Sequence, residues 1–301
     1  MDSSNLITIF TPCYNRASLL ARLYQSIVAQ AVTNFEWIIV DDGSTDNTRE
    51  VVESFISEQK ITISYHYKPN GGKHTAINYG VAKAKGALFC IIDSDDFFEE
   101  DALVHINDAW KKYENNDKIG GFIGLSQFEN GVIVGDSFLK QHWQIPFSDY
   151  YLKYFLKGDK SVAFKTEVLK QYPFPELEGI KMVFEDVVWH EMSKQYDVLC
   201  INNVIQTVHY HDEGVSGSSY KFWYVKSLAY SYFQLIANKT YSFSRYPKTY
   251  IWSFIHLAIN SLLSGTSYFN KLPSFKDKCL YLILFPRGYY SYLKMRKLIV
   301  K

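Results

Sequence analysis

Residues 90–96 read CIIDSDD, a short apolar run that ends abruptly in three carboxylates, Asp93, Asp95 and Asp96. Hard divalent cations such as Mg²⁺ and Mn²⁺ take oxygen ligands, and proteins usually hold them with one or two carboxylates together with the phosphates of a substrate. A buried strand that delivers an Asp-x-Asp pair at its carboxyl end therefore predicts a cation site beside a diphosphate. The alternative is a solvated acidic loop, and the preceding sequence favours the cation site.

Three units of strand and helix lead up to this run. Apolar, strand-like runs occupy residues 6–11, 35–40, 61–67 and 87–92, and helical patterns occupy residues 17–30, 46–58 and 73–85. In the first helical pattern, Leu20, Leu23 and Ile27 share one face. Apolar strands that alternate with amphipathic helices predict a mostly parallel sheet with helices on both faces.

Polar clusters follow all four predicted strands. They read TPCYN (residues 11–15), DDGS (41–44), PNGGK (69–73) and DSDD (93–96). In parallel sheets of this kind, ligands bind outside the carboxyl ends of the strands. The four clusters are therefore expected to line one rim of the sheet, which is a stronger signal than any one of them.

The same motifs resemble those of the family-two inverting glycosyltransferases. TPCYNR, VDDGSTDNT, NGGKHTAINYG and DSDD occur in the family's order, and the resemblance covers residues 6–97 well and continues more weakly to about residue 216. It implies a GT-A fold, an α/β Rossmann-like sheet, and a nucleoside-diphosphate sugar as donor. We predict a nucleotide-binding half at 1–97, an acceptor-binding half at 98–216, and a helical, aromatic- and Lys-rich extension at 217–301.

The resemblance assigns the nucleotide to residues after the strands. The expected contacts are Thr11, Pro12, Tyr14, Asp42, Asn70, Lys73, Asp93 and Ser94. Tyr14 offers a flat ring on which a base can stack. Asp41 and Asp42 alternate in direction at a strand end, so one of them is expected to face the cleft. The resemblance implies that this is Asp42, which would accept a hydrogen bond from the imide N–H of uracil, while Asp41 caps the following helix.

A glycine turn and a lysine follow the third predicted strand. Gly71 and Gly72 can take left-handed dihedrals and let a ligand approach the backbone. Lys73 stands at the start of the next helix, where its charge and the positive end of the helix would meet a phosphate together. A solvated lysine is the alternative.

Phe184-Glu185-Asp186 opens a further helical pattern and resembles the family's Glu-Asp motif, whose Asp is the general base. An inverting transfer needs a base, because the acceptor hydroxyl loses its proton as it attacks the anomeric carbon. Adjacent helical residues point about 100° apart, so both acids cannot aim at the acceptor. We assign Asp186 as base and Glu185 to holding the acceptor or a backbone amide. The reverse assignment stays open, as does a purely structural role at a helix start.

Residues 204–216 read VIQTVHYHDEGVS, a strand-like run in which His209 and His211 alternate onto one face. The resemblance supports His211 as a metal ligand together with Asp93 and Asp95. A lone histidine in a strand is more often structural, and we assign that role to His209. A neutral imidazole suits Mn²⁺ better than Mg²⁺. The expected cofactor is therefore Mn²⁺, with Mg²⁺ as the alternative.

Charge is unevenly distributed along the chain. The net charge is +1, yet residues 220–301 contain 13 Lys or Arg, 21 aromatic residues and a single acid, Asp277. Such a segment suits an anionic membrane surface. The alternatives are a helical extension that packs on the catalytic core and a homodimer interface. Binding of nucleic acid is not expected, because no motif that reads RNA or DNA is present.

Cysteine usage and the first residues indicate where the protein works. Cys13, Cys90, Cys200 and Cys279 are widely spaced, which is typical of reduced thiols. The sequence opens MDSSN without a signal-peptide pattern, and no apolar run approaches the ~20 residues needed to span a bilayer. We expect a peripheral protein on the cytoplasmic face of the membrane that acts on a glycan, here a lipid-linked one destined for a surface polysaccharide.

Two other functions compete with glycosyl transfer. One is a catalytically inactive relative that serves as a membrane-associated binding or scaffold subunit. The other is a sugar-phosphate nucleotidyltransferase, which would be expected to carry a Gly-rich, basic loop after the first strand, and TPCYNR is not such a loop.

Overall fold

The computed structural model describes residues 6–178, 180, 182–209, 222–238 and 242–299. Contacts group them into two compact units. The sheet unit comprises the described residues up to Pro173 and from Gln195 to His209, and the helical unit comprises Phe174–Lys194 and the described residues after His209. Residues 174–194, expected in the acceptor-binding half, thus group with the C-terminal helices. The predicted boundaries at 97 and 216 stay predictions.

The described part of the sheet unit contains nine strands. They are β1 (Ile7–Cys13), β2 (Phe35–Asp41), β3 (Ile63–Tyr67), β4 (Leu88–Ile91), β5 (Phe97–Phe98), β6 (Ile119–Phe128), β7 (Trp143–Pro146), β8 (Lys160–Lys165) and β9 (Asp197–Val208). They form one sheet in the order β3-β2-β1-β4-β8-β6-β9-β5, and β7 also pairs with β9. The first four strands are parallel, as predicted, whereas β8 runs antiparallel to both β4 and β6.

Ten α-helices lie in the described residues. They are α1 (Leu20–Val28), α2 (Thr48–Ser57), α3 (Lys73–Lys83), α4 (Ala102–Tyr113), α5 (Phe147–Leu152), α6 (Thr166–Gln171), α7 (Asp186–Met192), α8 (Phe222–Ala237), α9 (Pro247–Ser264) and α10 (Phe275–Ile299). The first six belong to the sheet unit and the last four to the helical unit.

Apolar residues at helical spacing attach the first two helices to the sheet. Leu20, Leu23 and Ile27 of α1 are fully buried, as their spacing predicts. Tyr24, on the same face, stacks on Phe55 of α2 with the ring centroids 4.2 Å apart. This contact fixes both helices on the face of the sheet where the core lies.

The first strand is longer than predicted. The sequence places its end before Pro12, but β1 continues through Pro12 to Cys13, with Pro12 opposite Val40 of β2. The backbone carbonyl of Phe10 accepts a hydrogen bond from the backbone N–H of Ile92. The backbone N–H and C=O groups of the even-numbered residues of β1 therefore point toward β4. Because β4 ends at Ile91, no residue of β4 lies opposite the nitrogen of Pro12. The strand therefore loses no ladder hydrogen bond through the proline.

Helices of the helical unit pack closely on one another. Asp277 near the start of α10 accepts hydrogen bonds from the hydroxyls of Tyr250 in α9 (2.7 Å) and Ser274 (2.6 Å). Further along α10, a Cβ built on Gly288 would lie 2.7 Å from the Cβ of Ala258 in α9. No helix among the described residues combines the length and apolar composition that crossing a membrane requires.

Gly80 of α3 provides a stability test. A Cβ at this position would lie 2.2 Å from Cε2 of Phe10, which is fully buried in β1. We predict that Gly80→Ala lowers the free energy of unfolding by about 1–3 kcal/mol, because the helix or the ring must move. Urea unfolding measures it. Ala82→Ser, on the exposed side of α3, is the control and should change stability by less than about 0.5 kcal/mol; equal midpoints for wild type and Gly80→Ala would contradict the packing argument.

Candidate active site

Hydrogen bonds connect the loop after β1 to the loop after β2. The backbone N–H of Asn15 donates to Oγ of Ser44 (2.8 Å). The side-chain carbonyl of Asn15 in turn accepts a hydrogen bond from the backbone N–H of Thr45 (2.8 Å). The polar residues that follow these two strands thus form one connected surface.

Asp42, directly after β2, binds the loop that follows β3. Its Oδ1 accepts hydrogen bonds from the backbone N–H of Gly71 (2.9 Å) and from Nζ of Lys68 (2.6 Å), and its Oδ2 accepts one from the N–H of Gly72 (2.6 Å). The side chain of Asn70 donates to the backbone carbonyl of Asp42 (2.9 Å). The Asp42 carboxylate is almost fully buried, so these bonds form away from bulk water.

Lys68 is a site residue that the sequence interpretation missed. Besides Asp42, its Nζ donates to Oγ1 of Thr75 (2.7 Å) and to the carbonyl of Pro69 (2.8 Å). Its position between the end of β3 and the Pro-Asn-Gly-Gly turn was the available signal. A lysine there ordinarily points into solvent, and only the fold shows that it bridges β2 to α3.

Asp41 has a different role from the one predicted. Its carboxylate accepts hydrogen bonds from the backbone N–H of Ser44 (2.7 Å) and from the hydroxyl of Tyr65 (2.5 Å). The helix that it was predicted to cap begins only at Thr48, whose N–H donates to Asp46 (3.1 Å). The capping prediction is therefore wrong, because the loop between β2 and α2 is longer than the sequence suggested.

Lys73, the first residue of α3, forms an ion pair with Asp93 after β4. The distances from its Nζ to the two carboxylate oxygens are 2.7 and 2.8 Å. This pair connects the third polar cluster to the fourth. Together with the bonds of Asn15 and Asp42, it places all four clusters along one rim, as the sequence predicted.

The acidic turn after β4 presents oxygen ligands only. Asp93, Asp95 and Asp96 each offer a carboxylate oxygen, and these oxygens lie within 4.8 Å of one another. Burial and the charge of Asp93 raise the pKa of Asp95. Burial, followed by the charges of Asp93 and Asp95, raises the pKa of Asp96 to about 8. Such crowding of carboxylates suits a hard divalent cation such as Mg²⁺ or Mn²⁺, so the donor set fits the predicted cofactor.

Other predicted nucleotide contacts differ in accessibility. Tyr14 leaves nearly half of its surface exposed, which suits stacking on a base. Pro12 is partly buried and Ser94 is buried. Thr11 is fully buried, and its hydroxyl accepts a hydrogen bond from Nε1 of Trp37 (3.0 Å), so its side chain serves the core. Their contacts with a nucleotide stay predictions.

The predicted ligand His211 lies outside the described residues. His209, immediately after β9, is described and has a structural environment. Its backbone N–H donates to Oδ1 of Asp96 (3.1 Å), and its ring Nδ1 lies 2.7 Å from Oε1 of Glu129, which also pairs with Arg22. His209 therefore supports the acidic turn from the side of β9.

In the helical unit, Asp186 is the first residue of α7 and Glu185 precedes it, as the helical pattern predicted. Oδ1 of Asp186 has no accessible surface and no hydrogen-bond partner among the described residues. Burial raises the pKa of Asp186 to about 6. The backbone N–H of Val187 lowers this pKa, and the charge of Glu185 raises it by a smaller amount. A carboxylate with this pKa has the properties of a general base near neutral pH.

Comparison with known proteins identifies related sequences. The family model of Glycosyl transferase family 2 matches residues 8–167. Glycosyltransferase GlyG of Streptococcus pneumoniae is 33% identical over 138 residues, which are 45% of this chain and 46% of GlyG. The chondroitin synthase of Pasteurella multocida is 40% identical over 98 residues, which are 33% of this chain and 10% of that protein. The chain thus spans less than half of these relatives.

Solved structures share the fold at lower identity. TarS 1–349 of S. aureus in complex with UDP-GlcNAc superposes with a TM-score of 0.59 at 18% identity and covers 94% of this chain and 80% of that one. The mannosyltransferase PcManGT of Pyrobaculum calidifontis, in complex with GDP-Man and Mn²⁺, gives a TM-score of 0.57 at 18% identity, with 95% and 80% covered. These similarities establish a GT-A-like α/β sheet with helices.

The Asp42 contacts generate a prediction about the rim. Asp42→Asn would replace one carboxylate oxygen with an amide N–H₂ group, which cannot accept a hydrogen bond. That group would face donors from Gly71, Gly72 and Lys68. We expect a loss of unfolding free energy of about 2–4 kcal/mol and faster hydrogen exchange at Gly71 and Gly72. Asp101→Asn removes an exposed carboxylate in the same unit and should cost less than about 0.5 kcal/mol. Equal stability of the two variants would show that the Asp42 bonds contribute little.

Proposed function

The chain belongs to glycosyl transferase family 2, and we propose that it is an inverting, metal-dependent glycosyltransferase. It moves a sugar from a nucleoside-diphosphate donor, a UDP-sugar in our proposal, to a hydroxyl of a glycan acceptor. The observation that carries this proposal is the rim itself, where Asp42, Lys73 and the carboxylates of Asp93 and Asp95 lie at the carboxyl ends of parallel strands. Ligands of such sheets bind at this edge.

Asp42 is the proposed contact for the base of the donor. A carboxylate oxygen can accept two hydrogen bonds, and Oδ2 of Asp42 accepts one, from Gly72, among the described residues. The remaining capacity suits the imide N–H of uracil, while the exposed ring of Tyr14 stacks on the base. Two structurally similar proteins were solved with UDP-GlcNAc and with GDP-Man, so the nucleoside needs a direct test.

The diphosphate is proposed to lie between Lys73 and the acidic turn. Asp93 and Asp95 would hold Mn²⁺ or Mg²⁺, with His211 as a further proposed ligand. The bound cation would supply positive charge for the negative charge that develops on the departing diphosphate. Lys73 binds a phosphate oxygen through its ammonium group, helped by the backbone N–H groups at the start of α3.

Asp186 is the proposed general base. It takes the proton of the acceptor hydroxyl while that hydroxyl attacks the anomeric carbon, and Glu185 orients the acceptor. A raised pKa is useful here because a base whose pKa lies close to the working pH accepts a proton readily and is still largely ionised.

The acceptor is proposed to be a lipid-linked glycan at the cytoplasmic face of a membrane, used in the synthesis of a surface polysaccharide. The support is compositional: residues 220–301 contain 13 basic residues and one acid, Asp277. This acid is buried and accepts hydrogen bonds from Tyr250 and Ser274, so the charged side chains that this segment exposes among the described residues are basic. A basic surface of this kind attracts anionic lipid.

Calorimetric titration tests the donor site. We predict that UDP binds in the presence of Mn²⁺, at least tenfold more tightly than GDP, and that omission of Mn²⁺ or the substitution Asp95→Asn weakens UDP binding by about tenfold or more. Asp101→Asn is the control and should bind as wild type does. If folded protein binds no nucleotide under any of these conditions, the proposal of glycosyltransferase activity is wrong. A non-catalytic binding subunit is then the favoured interpretation.

The base assignment predicts both a rate and a pH profile. Asp186→Asn should lower kcat by roughly 10²–10⁴-fold with little change in donor KM. For wild type, kcat/KM should rise with pH through about 6 and then level off, because only the ionised carboxylate accepts a proton.

Two variants complete the experiment on the base. Glu185→Gln should retain the rise of kcat/KM near pH 6 and should lose less activity than Asp186→Asn. Glu178→Gln changes an exposed acid of the helical unit and should behave as wild type. A near wild-type rate in Asp186→Asn would refute Asp186 as the base. If Glu185→Gln alone abolished the rise of kcat/KM near pH 6, Glu185 would be the general base and Asp186 would orient the acceptor.

A further inference from the structure

We propose that α10 is an interfacial helix that lies on an anionic lipid bilayer through the side it turns away from α9. This proposal deepens the membrane association given above: it rests on the proposed function for the reason to be at a membrane, and on the structure for the surface itself. The residues concerned lie between Phe275 and Arg296 of α10.

The outer side of α10 is apolar. At 100° per residue, six of its exposed apolar residues fall within an arc of about 120°, which places them on one face of the helix. They are Phe275 (82% exposed), Leu282 (59%), Ile283 (73%), Tyr289 (45%), Tyr290 (60%) and Leu293 (38%). We call these six residues the outer stripe. Soluble monomers rarely leave large contiguous apolar surfaces uncovered, and such surfaces mark protein or membrane contacts.

The opposite side of α10 is already occupied. Tyr281, Gly288 and Asp277 are buried there, with Gly288 against Ala258 of α9 and Asp277 hydrogen-bonded to Tyr250. The outer stripe is therefore not the face with which α10 joins its own unit. The helix has two apolar sides, and only one of them has a partner among the described residues.

Basic residues border the outer stripe on both edges. At about 100° per residue, Lys276, Arg287 and Lys294 fall on one edge, and Lys278 and Arg296 fall on the other. Nζ of Lys294 lies 4.6 Å from the ring centroid of Tyr290, so the border is in contact with the stripe. An apolar band with tyrosines, flanked by lysine and arginine, is the arrangement of helices that lie in the headgroup region.

Charge argues against a second copy of the chain as the occupant. A symmetric contact between two outer stripes would bring the basic borders of both copies together. Asp277 is the one acid in residues 220–301, and it lies on the side of α10 that packs on α9, so this segment places no carboxylate at the outer stripe to pair with those basic residues. Anionic phospholipid supplies the missing negative charge together with an apolar layer for the stripe.

Ring contacts extend from the basic border into the helical unit. The guanidinium of Arg287 lies 5.5 Å from the ring centroid of Trp252, and the ring of Trp252 lies 5.7 Å from that of His256. His256 stacks on Tyr232 at 4.9 Å. Burial, and to a smaller extent the charge of Asp186, raises the pKa of Tyr232 to about 12. A row of ring contacts thus extends from Arg287, at the proposed bilayer surface, to Tyr232.

Sedimentation with lipid vesicles tests the surface. The full chain should bind vesicles of phosphatidylcholine that contain phosphatidylglycerol, and should bind phosphatidylcholine alone much more weakly. The triple substitution Lys276→Gln, Arg287→Gln and Lys294→Gln should lower binding to the anionic vesicles on the order of 100-fold. Leu282→Gln with Ile283→Gln should lower it at least about tenfold, because apolar area is no longer buried.

A matched triple in the sheet unit controls for net charge. Lys85→Gln, Lys111→Gln and Lys140→Gln change three exposed lysines and should leave vesicle binding within about twofold of wild type. The proposal is overturned if wild type does not bind anionic vesicles, if this control loses as much as the α10 triple, or if the Leu282 and Ile283 double variant binds like wild type. A dimer in light scattering that dissociates in the double variant would identify a second copy as the occupant and also overturn it.

Nucleotide titration of the same variants separates this proposal from the proposed function. All should bind UDP and Mn²⁺ as wild type does, since none alters the rim. Vesicle binding without any nucleotide binding would retain the outer stripe as a membrane surface and reject the glycosyltransferase proposal. Nucleotide binding without vesicle binding would do the reverse.

Discussion

The buried carboxylate of Asp42 is the interaction on which the candidate site depends. Three donors from the segment after β3 converge on it, namely the N–H groups of Gly71 and Gly72 and the ammonium of Lys68. Gly72 takes a φ of 97°, a region that glycine reaches without steric cost, and α3 begins at the next residue. The direction in which α3 leaves the sheet, and so the position of Lys73, follows from this one cluster of bonds.

Local sequence patterns were sufficient to predict the order of strands and helices in the first third of the chain. The strands at 35–40 and 61–67 and the buried face of α1 are present because period and composition are local properties that the chain displays directly. The antiparallel insertion of β8 between β4 and β6 was not predicted, since pairing between residues such as Cys90 and Ala163 leaves no local pattern. Pro12 was misjudged for a similar reason: whether a proline fits a strand depends on where the neighbouring strand ends.

The candidate site shows the same division between local and non-local information. Spacing in the sequence was enough to identify the acidic candidates, which are Asp93, Asp95 and Asp96 after β4 and the pair Glu185 and Asp186. The supporting contacts do not, because Lys68, Glu129 and His209 are ordinary surface types whose roles depend on partners far away in sequence. Burial, which raises the pKa of Asp186, is likewise a property of the folded helices and not of the motif.

The Lys73–Asp93 ion pair has a thermodynamic consequence for any ligand of the rim. While the pair is closed, the ammonium group neutralises a carboxylate that a cation would need. A cation that takes Asp93 therefore competes with Lys73, and the released ammonium group can then attract a phosphate. Binding of the cation and binding of the anion are in that case linked, and each strengthens the other by the same factor, as linkage requires. In the resting protein Asp93 and Lys73 neutralise each other, and the arrival of both ligands would exchange that one ion pair for two.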